Sequence, residues 1–220
     1  MTGASYPVIS GLAGRALSAD ERALFRDRPP IGFILFRRNI QDPSQVRDLT
    51  SALRDLTGQP DLPVLVDQEG GRVQRLTEPH WAKLPAQDRI GQRYDRDPDG
   101  ARRAAWLLGR LIADQATGVG LDVVCTPCLD LALPETHEVI GDRAFHSAPD
   151  IVAALGAEVI AGVLAGGALP VIKHLPGHGR ANLDSHLALP RIKADLPTLQ
   201  ATDFRPFRLL APQAPFAMTG

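Results

Sequence analysis

The chain has 220 residues, 44% of them hydrophobic and 22% charged, with Lys+Arg 24 against Asp+Glu 25 and a formal net charge of -1. That is the balance of an ordinary globular protein of one domain, and without a basic excess there is no electrostatic ground for a nucleic-acid partner. Even the most apolar stretch, residues 151–169, is broken by Gly156, Glu158, Gly162, Gly166 and Gly167, so no run reaches the ~20 residues that cross a bilayer and no membrane partner is expected.

The start, Met1-Thr-Gly-Ala-Ser-Tyr-Pro, has neither a basic nor an apolar region of the kind that directs secretion, which predicts a cytoplasmic protein. From there, short apolar runs alternate with segments of helical period. A first strand is expected over residues 7–12. Ser18-Ala-Asp-Glu21 is a capping box, its hydroxyl and carboxylate placed to satisfy reciprocal backbone N–H groups, and it opens a helix over residues 19–26. A second strand is expected over residues 31–36. Asp42-Pro43 supplies a cap and a pre-set first turn for a helix with Val46, Leu49, Leu53 and Leu56 on its apolar face, ended by Gly58.

A third strand, residues 62–67, runs into Asp67-Gln-Glu-Gly-Gly-Arg-Val-Gln-Arg75. Carboxylates and guanidinium groups crowded into one loop, with Gly-Gly and no hydrophobic anchor, suit sugar hydroxyls, because each makes paired hydrogen bonds to neighbouring oxygens. Ala104, Leu108, Leu111 and Ile112 mark the inner side of a third helix, and residues 121–125 a fourth strand. The only two cysteines follow in Cys125-Thr-Pro-Cys128. A redox pair needs its first Cys at a helix start, whereas this one leaves a strand and is interrupted by Pro127, so two small buried residues are expected.

Val139-Ile-Gly-Asp-Arg-Ala-Phe145 is a weaker signal, an Asp-Arg pair in a polar loop. Ser147 and Asp150 are expected to start a fourth helix that turns Ile151, Val152, Leu155, Val159 and Val163 inward. The fifth and sixth strands are expected over residues 169–174 and 215–219. All six strands are apolar enough to be buried on both faces, as in a parallel sheet.

Six strands in βα order, with long polar loops after the third, fourth and fifth, predict an α/β fold of the TIM-type (β/α)8 barrel class. The whole of residues 1–220 is expected to be one barrel domain with its C-terminal part missing, since about six of the eight required strands are present. In such a barrel the chemistry lies at the C-terminal ends of the strands, where Asp67, Asp130, Lys173 and His174 stand.

The strongest local signal is Lys173-His-Leu-Pro-Gly-His-Gly-Arg-Ala-Asn-Leu-Asp-Ser-His186. Asp184 and His186 are two apart, so the carboxylate can hold one imidazole nitrogen while the other delivers a proton to a leaving oxygen. His174 and His178 with Asp184 and His186 make an alternative zinc set, although Pro176 and Gly177 break the helix that normally presents such a spacing. The Pro-Gly-His-Gly run matches no phosphate-binding loop.

Taken together, Gly32-Phe-Ile-Leu-Phe-Arg-Arg-Asn-Ile40, Asp67 to Arg75, Val139 to Phe145 and the Lys173 to His186 segment resemble the bacterial β-N-acetylhexosaminidases of glycoside hydrolase family 3, in order and spacing over nearly the whole chain. The resemblance implies a cytoplasmic enzyme that removes terminal N-acetylglucosamine from anhydro-muropeptides by a retaining mechanism, without metal or cofactor, and acts as a monomer at full length. It implies that Asp67, Arg75, Arg143, Lys173 and His174 bind the sugar, that His186 is the acid/base and that Asp184 is its partner. The family's nucleophile is an Asp beyond a Met-Thr-Ala/Gly-His motif inside which Met218-Thr219-Gly220 falls, so residues 1–220 are expected to lack it. A metal-dependent hydrolase on a similar barrel and a sugar-binding module without turnover are the alternatives.

Overall fold

The computed structural model describes residues 5–181 and 192–220. In chain order its elements are β1 (Tyr6–Ser10), α1 (Ala19–Asp27), β2 (Pro30–Leu35), α2 (Pro43–Thr57), β3 (Val64–Val66), β4 (Gln68–Gly70) and β5 (Val73–Gln74). There follow α3 (Gln87–Tyr94), α4 (Pro98–Thr117), β6 (Val123–Val124), α5 (Pro149–Ala165), β7 (Leu169–Leu175), α6 (Leu196–Ala201), α7 (Phe204–Leu210) and β8 (Phe216–Thr219). Six strands form one sheet in the order β1-β2-β3-β6-β7-β8, every pair parallel. Spatial order therefore follows chain order. A doubly wound sheet reverses its order at a switch point, whereas a barrel wall does not, so this is the wall of a TIM-type barrel.

Helices α1 and α2 begin where their caps predict. Ser18 Oγ accepts from Glu21 N at 3.2 Å and Glu21 Oε2 accepts from Ser18 N at 2.9 Å, so the capping box of α1 is complete. That start turns Phe25 inward, its ring edge-to-face on Phe33 with centroids 4.9 Å apart. Asp42 Oδ1 accepts from Gln45 N at 2.9 Å, and α2 ends on Gly58, whose φ of 65° only glycine adopts freely. Between these ends Val46, Leu49 and Leu53 are buried, each worth about 1.5–3 kcal/mol.

Helices α4 and α5 pack backbone to backbone. A Cβ on Gly109 would lie 2.3 Å from Val159 O, and one on Gly162 would lie 2.1 Å from Trp106 O. Larger residues at either position force the helices apart.

Three expectations need correction. The outer strands are not buried on both faces: in β1 Tyr6 is 46% and Val8 54% exposed, and in β8 Ala217 and Thr219 are exposed, because each strand is an edge of the sheet with a single neighbour. Leu111 is 48% exposed, since the inner side of α4 runs through Ala101, Ala105, Leu108 and Ile112 and leaves Leu111 beyond its rim. Ser147 does not cap α5, whose N-cap is Ala148 without a side-chain bond; Pro149 in the first turn sets the start instead. The hairpin β4-β5, helix α3 and the pair α6–α7 are additions that the sequence pattern leaves unassigned.

Candidate active site

The site grows from three strand ends. Asp67 leaves β3, Lys173 and His174 lie at the end of β7, and the chain leaving β6 reaches Asp130 beside them, where Cys128 bridges to Lys173. Arg143 arrives from a short 3-10 turn, Gly141–Arg143.

Two devices bring the loops in. Gly70 and Gly71, at φ 93° and 57°, turn the chain between β4 and β5, and a Cβ on Gly70 would stand 2.2 Å from Pro85 O. Gln68 Oε1 then accepts from Arg75 N at 2.8 Å and Leu76 N at 3.1 Å, fixing where Arg75 emerges. The 3-10 turn is tied to the same hairpin by Arg72, which donates to Asp142 Oδ1 at 2.7 Å and Ile140 O at 3.1 Å. Asp142 thus pairs with Arg72, and Arg143 is left for another partner.

That partner is Glu69. Arg143 Nε and Nη2 each donate to one Glu69 oxygen at 2.9 Å, a two-pronged pair. Lys173 Nζ lies 2.5 Å from Glu69 Oε1 and 2.9 Å from Asp67 Oδ1, and Arg75 Nη2 is 3.5 Å from the other Asp67 oxygen. On the far side Arg143 Nη2 is 3.1 Å from His174 Nε2, while His174 Nδ1 is 2.6 Å from Asp130 Oδ2. One continuous line of polar contacts, alternating in charge from Asp67 through Lys173 and Glu69 to Arg143, therefore crosses the strand ends. It borders a cleft of about 320 Å3 that also touches Phe36, Val73 and Met218, within the lower range of small-ligand sites.

The charges are balanced because they are buried. Glu69 and Lys173 are each 1% exposed, and unpaired ions at such depth would neutralise. Burial pushes the Glu69 carboxyl up, but Lys173 and Arg143 pull it further down, so it lies below the ordinary Glu value. Asp67 is lowered in the same way, burial being outweighed by Lys173 and then Arg75 and Arg143. Burial likewise lowers Lys173, yet Glu69 and Asp67 raise it above the ordinary Lys value. All three groups stay ionised at neutral pH.

Five of the seven residues singled out from the sequence, Asp67, Arg75, Arg143, Lys173 and His174, are brought to this one cleft. Asp184 and His186 lie outside the described residues. Glu69 and Asp130, which the sequence pattern places in the right segments without a role, are buried behind the lining of the cleft, where they hold Lys173, Arg143 and His174. An acidic residue two positions beyond Asp67 and another leaving the next strand were the available signals. Lys173 is so enclosed by Asp67 and Glu69 that it ties the two carboxylates together and offers little surface of its own.

The cysteines are buried, free thiols. Burial pushes Cys125 up to about 12 and Cys128 well above its ordinary value, which opposes thiolate chemistry at either. Among the described residues, Cys128, Asp130 and His174 have ligand atoms within 4.8 Å of one another. Their hydrogen bonds to one another occupy the atoms a metal would need, and the raised thiol disfavours the thiolate ligand.

Comparison with known proteins agrees with this picture. Residues 10–220 match the Glycosyl hydrolase family 3 N terminal domain. The chain is 44% identical over 205 residues to a beta-hexosaminidase of Alkalilimnicola ehrlichii, covering 93% of this chain and 58% of the relative. It is 40% identical over 206 residues to a beta-hexosaminidase of Neisseria gonorrhoeae, covering 93% and 56%. Among solved structures it is similar to NagZ from Neisseria gonorrhoeae in complex with N-trifluoroacetyl-D-glucosamine, with a TM-score of 0.92, 38% identity and coverage of 98% of this chain and 63% of that one. A glycoside hydrolase family 3 beta-N-acetylglucosaminidase from Paenibacillus gives a TM-score of 0.88 at 30% identity, covering 96% and 40%. The chain thus spans somewhat over half the length of the curated relatives it matches. With a barrel wall, a charged cleft at its strand ends and a family match over residues 10–220, the chain belongs to glycoside hydrolase family 3.

Proposed function

We propose that this chain carries the sugar-binding wall and the acid/base of a retaining β-N-acetylglucosaminidase, which releases terminal non-reducing N-acetyl-β-D-glucosamine. The natural substrates on this reading are anhydro-muropeptides of cell-wall recycling in the cytoplasm, handled by a monomer without metal. The observation that supports it most is the line Asp67–Lys173–Glu69–Arg143–His174, of which Asp67, Arg143 and His174 border the cleft. Asp67 accepts from sugar hydroxyls, Arg143 and Arg75 donate to them, and His174 completes the set.

In the reaction His186, held by Asp184, protonates the glycosidic oxygen as the bond to the anomeric carbon breaks. A carboxylate takes that carbon, and water then releases the sugar with His186 acting as base. The carboxylate comes from outside residues 1–220. This part of the reading is supported by the occupation of the carboxylates at the cleft: Glu69 and Asp130 are buried behind it, and Asp67 is held by Lys173 and Arg75.

The test is turnover of an aryl N-acetyl-β-D-glucosaminide by residues 1–220 and by a version extended through two further βα units, at equal folded concentration. Turnover in the longer chain alone is expected. Comparable rates in both place the nucleophile within residues 1–220. In the longer chain His186→Ala should cost about 10²–10⁴-fold with poor leaving groups and far less with activated ones; equal losses reject His186 as the acid.

A further inference from the structure

We propose that Asp130 is a positioning residue that fixes His174 as a neutral ring with its proton on Nδ1, so that the Nε2 lone pair faces Arg143 and the cleft. The inference deepens the sugar-binding reading above and rests on it for its functional consequence, though not for the ring state itself.

The argument is one of donors and acceptors. Asp130 is fully enclosed, its side chain 0% exposed, and an ionised carboxylate only accepts. Four donors converge on it. Its Oδ1 accepts from His178 N at 2.6 Å and His174 N at 3.4 Å, and its Oδ2 accepts from Cys128 Sγ at 3.2 Å and stands 2.6 Å from His174 Nδ1. Nδ1 must therefore carry a proton. On the opposite side of the ring, Arg143 Nη2 lies 3.1 Å from Nε2, and a guanidinium has donors only. Nε2 must therefore keep its lone pair.

The two contacts together select one tautomer and exclude the doubly protonated ring. His174 is then not a proton donor to substrate through Nε2. Its Nε2 lone pair is taken by Arg143; the group that can replace that contact and satisfy both partners at once is a hydroxyl, giving its proton to Nε2 while accepting from Arg143.

Replacing Asp130 by Asn turns one of its oxygens into a donor. If the amide oxygen stays with the His178 and His174 backbone N–H groups, the amide nitrogen faces His174 Nδ1, which must then accept, and the proton moves to Nε2 against Arg143. The experiment is ring nitrogen NMR of histidine-labelled protein at neutral pH, with His174 assigned by His174→Gln, in the wild type and in Asp130→Asn. The wild type should show a protonated Nδ1 and an unprotonated Nε2. Asp130→Asn should lose that signature and weaken N-acetylglucosamine by up to about tenfold, the upper worth of one neutral hydrogen bond. A wild-type ring protonated on Nε2 or on both nitrogens overturns the proposal even if the variant does not fold, and an Asp130→Asn ring that keeps the Nδ1 proton overturns the role of Asp130. A wild-type ring of the expected form in a protein that binds no N-acetylglucosamine instead overturns the sugar reading and leaves the tautomer standing.

Discussion

Two cavities of similar size have opposite linings. Between α1 and α2 lies one of about 390 Å3, bordered by Arg15, Arg22, Gln45 and Asp48 over Leu17 and Leu49. The strand-end cleft is smaller, about 320 Å3. In the first, the charged side chains are exposed, and Arg15 spends a donor on the neighbouring Gln41 at 2.8 Å. In the second, Glu69 and Lys173 are buried and each touches two opposite charges or their equivalent. Exposed charges cost little to hold and carry little information. Buried ones are expensive to hold, which makes the second cavity the functional candidate. Volume alone points to the first cavity, buried charge to the second.

The comparison breaks first at Glu69. Glu69→Ala leaves the buried Lys173 and the partly buried Arg143 without their shared anion and should cost about 3–5 kcal/mol of stability, read from urea unfolding. A loss under about 1 kcal/mol would mean that the cluster is not ionised as described. Next, Arg143→Ala should weaken an N-acetylglucosamine-type inhibitor by about 1.5–3 kcal/mol, the range for hydrogen bonds to charged groups; an unchanged inhibition constant makes Arg143 purely structural.

Acid gives a smaller, graded effect. Glu69 lies below 4.5 and Asp67 and Asp130 below 3.8 in the folded protein, burial raising each while its cationic or hydrogen-bonding neighbours lower it further. Groups depressed on folding add stability that is fully present above those ordinary values and is lost as pH falls through the lower folded ones. His178 is lowered from 6.5, chiefly by burial, and its contribution has the same sign, beginning to fade below that value. Tm should therefore decline gently from pH 7 to 5 and steeply below 4.5, and Glu69→Gln should flatten the steep part. A Tm that rises on acidification contradicts this assignment. At the other cavity, Arg22→Ala and Asp48→Ala should each change stability by no more than about 0.5 kcal/mol.

The contrast also explains what the sequence made legible. Strand positions were readable because residues buried by a parallel sheet form continuous apolar runs, as in β3 and β6, and the caps at Ser18 and Asp42 are local chemistry. The exposure of β1 was not, because being an edge depends on neighbours rather than on the strand's own residues. Likewise Asp142 and Arg143 looked like one pair. Their true partners, Arg72 and Glu69, are 70 and 74 residues away, and only the turn at Gly70 and Gly71 brings them in. The roles of Glu69 and Asp130 were hidden for the same reason: each acts by touching residues from another strand end.

The central claim is that the charged strand-end cleft, and not the larger cavity, takes the sugar. Backbone amide NMR shifts during titration with N-acetylglucosamine test it most directly. The largest changes should fall in residues 67–75, 139–145 and 173–178, with none beyond noise around Arg15, Arg22 and Asp48. Shifts centred between α1 and α2, or no saturable shift at the strand ends, would contradict the account.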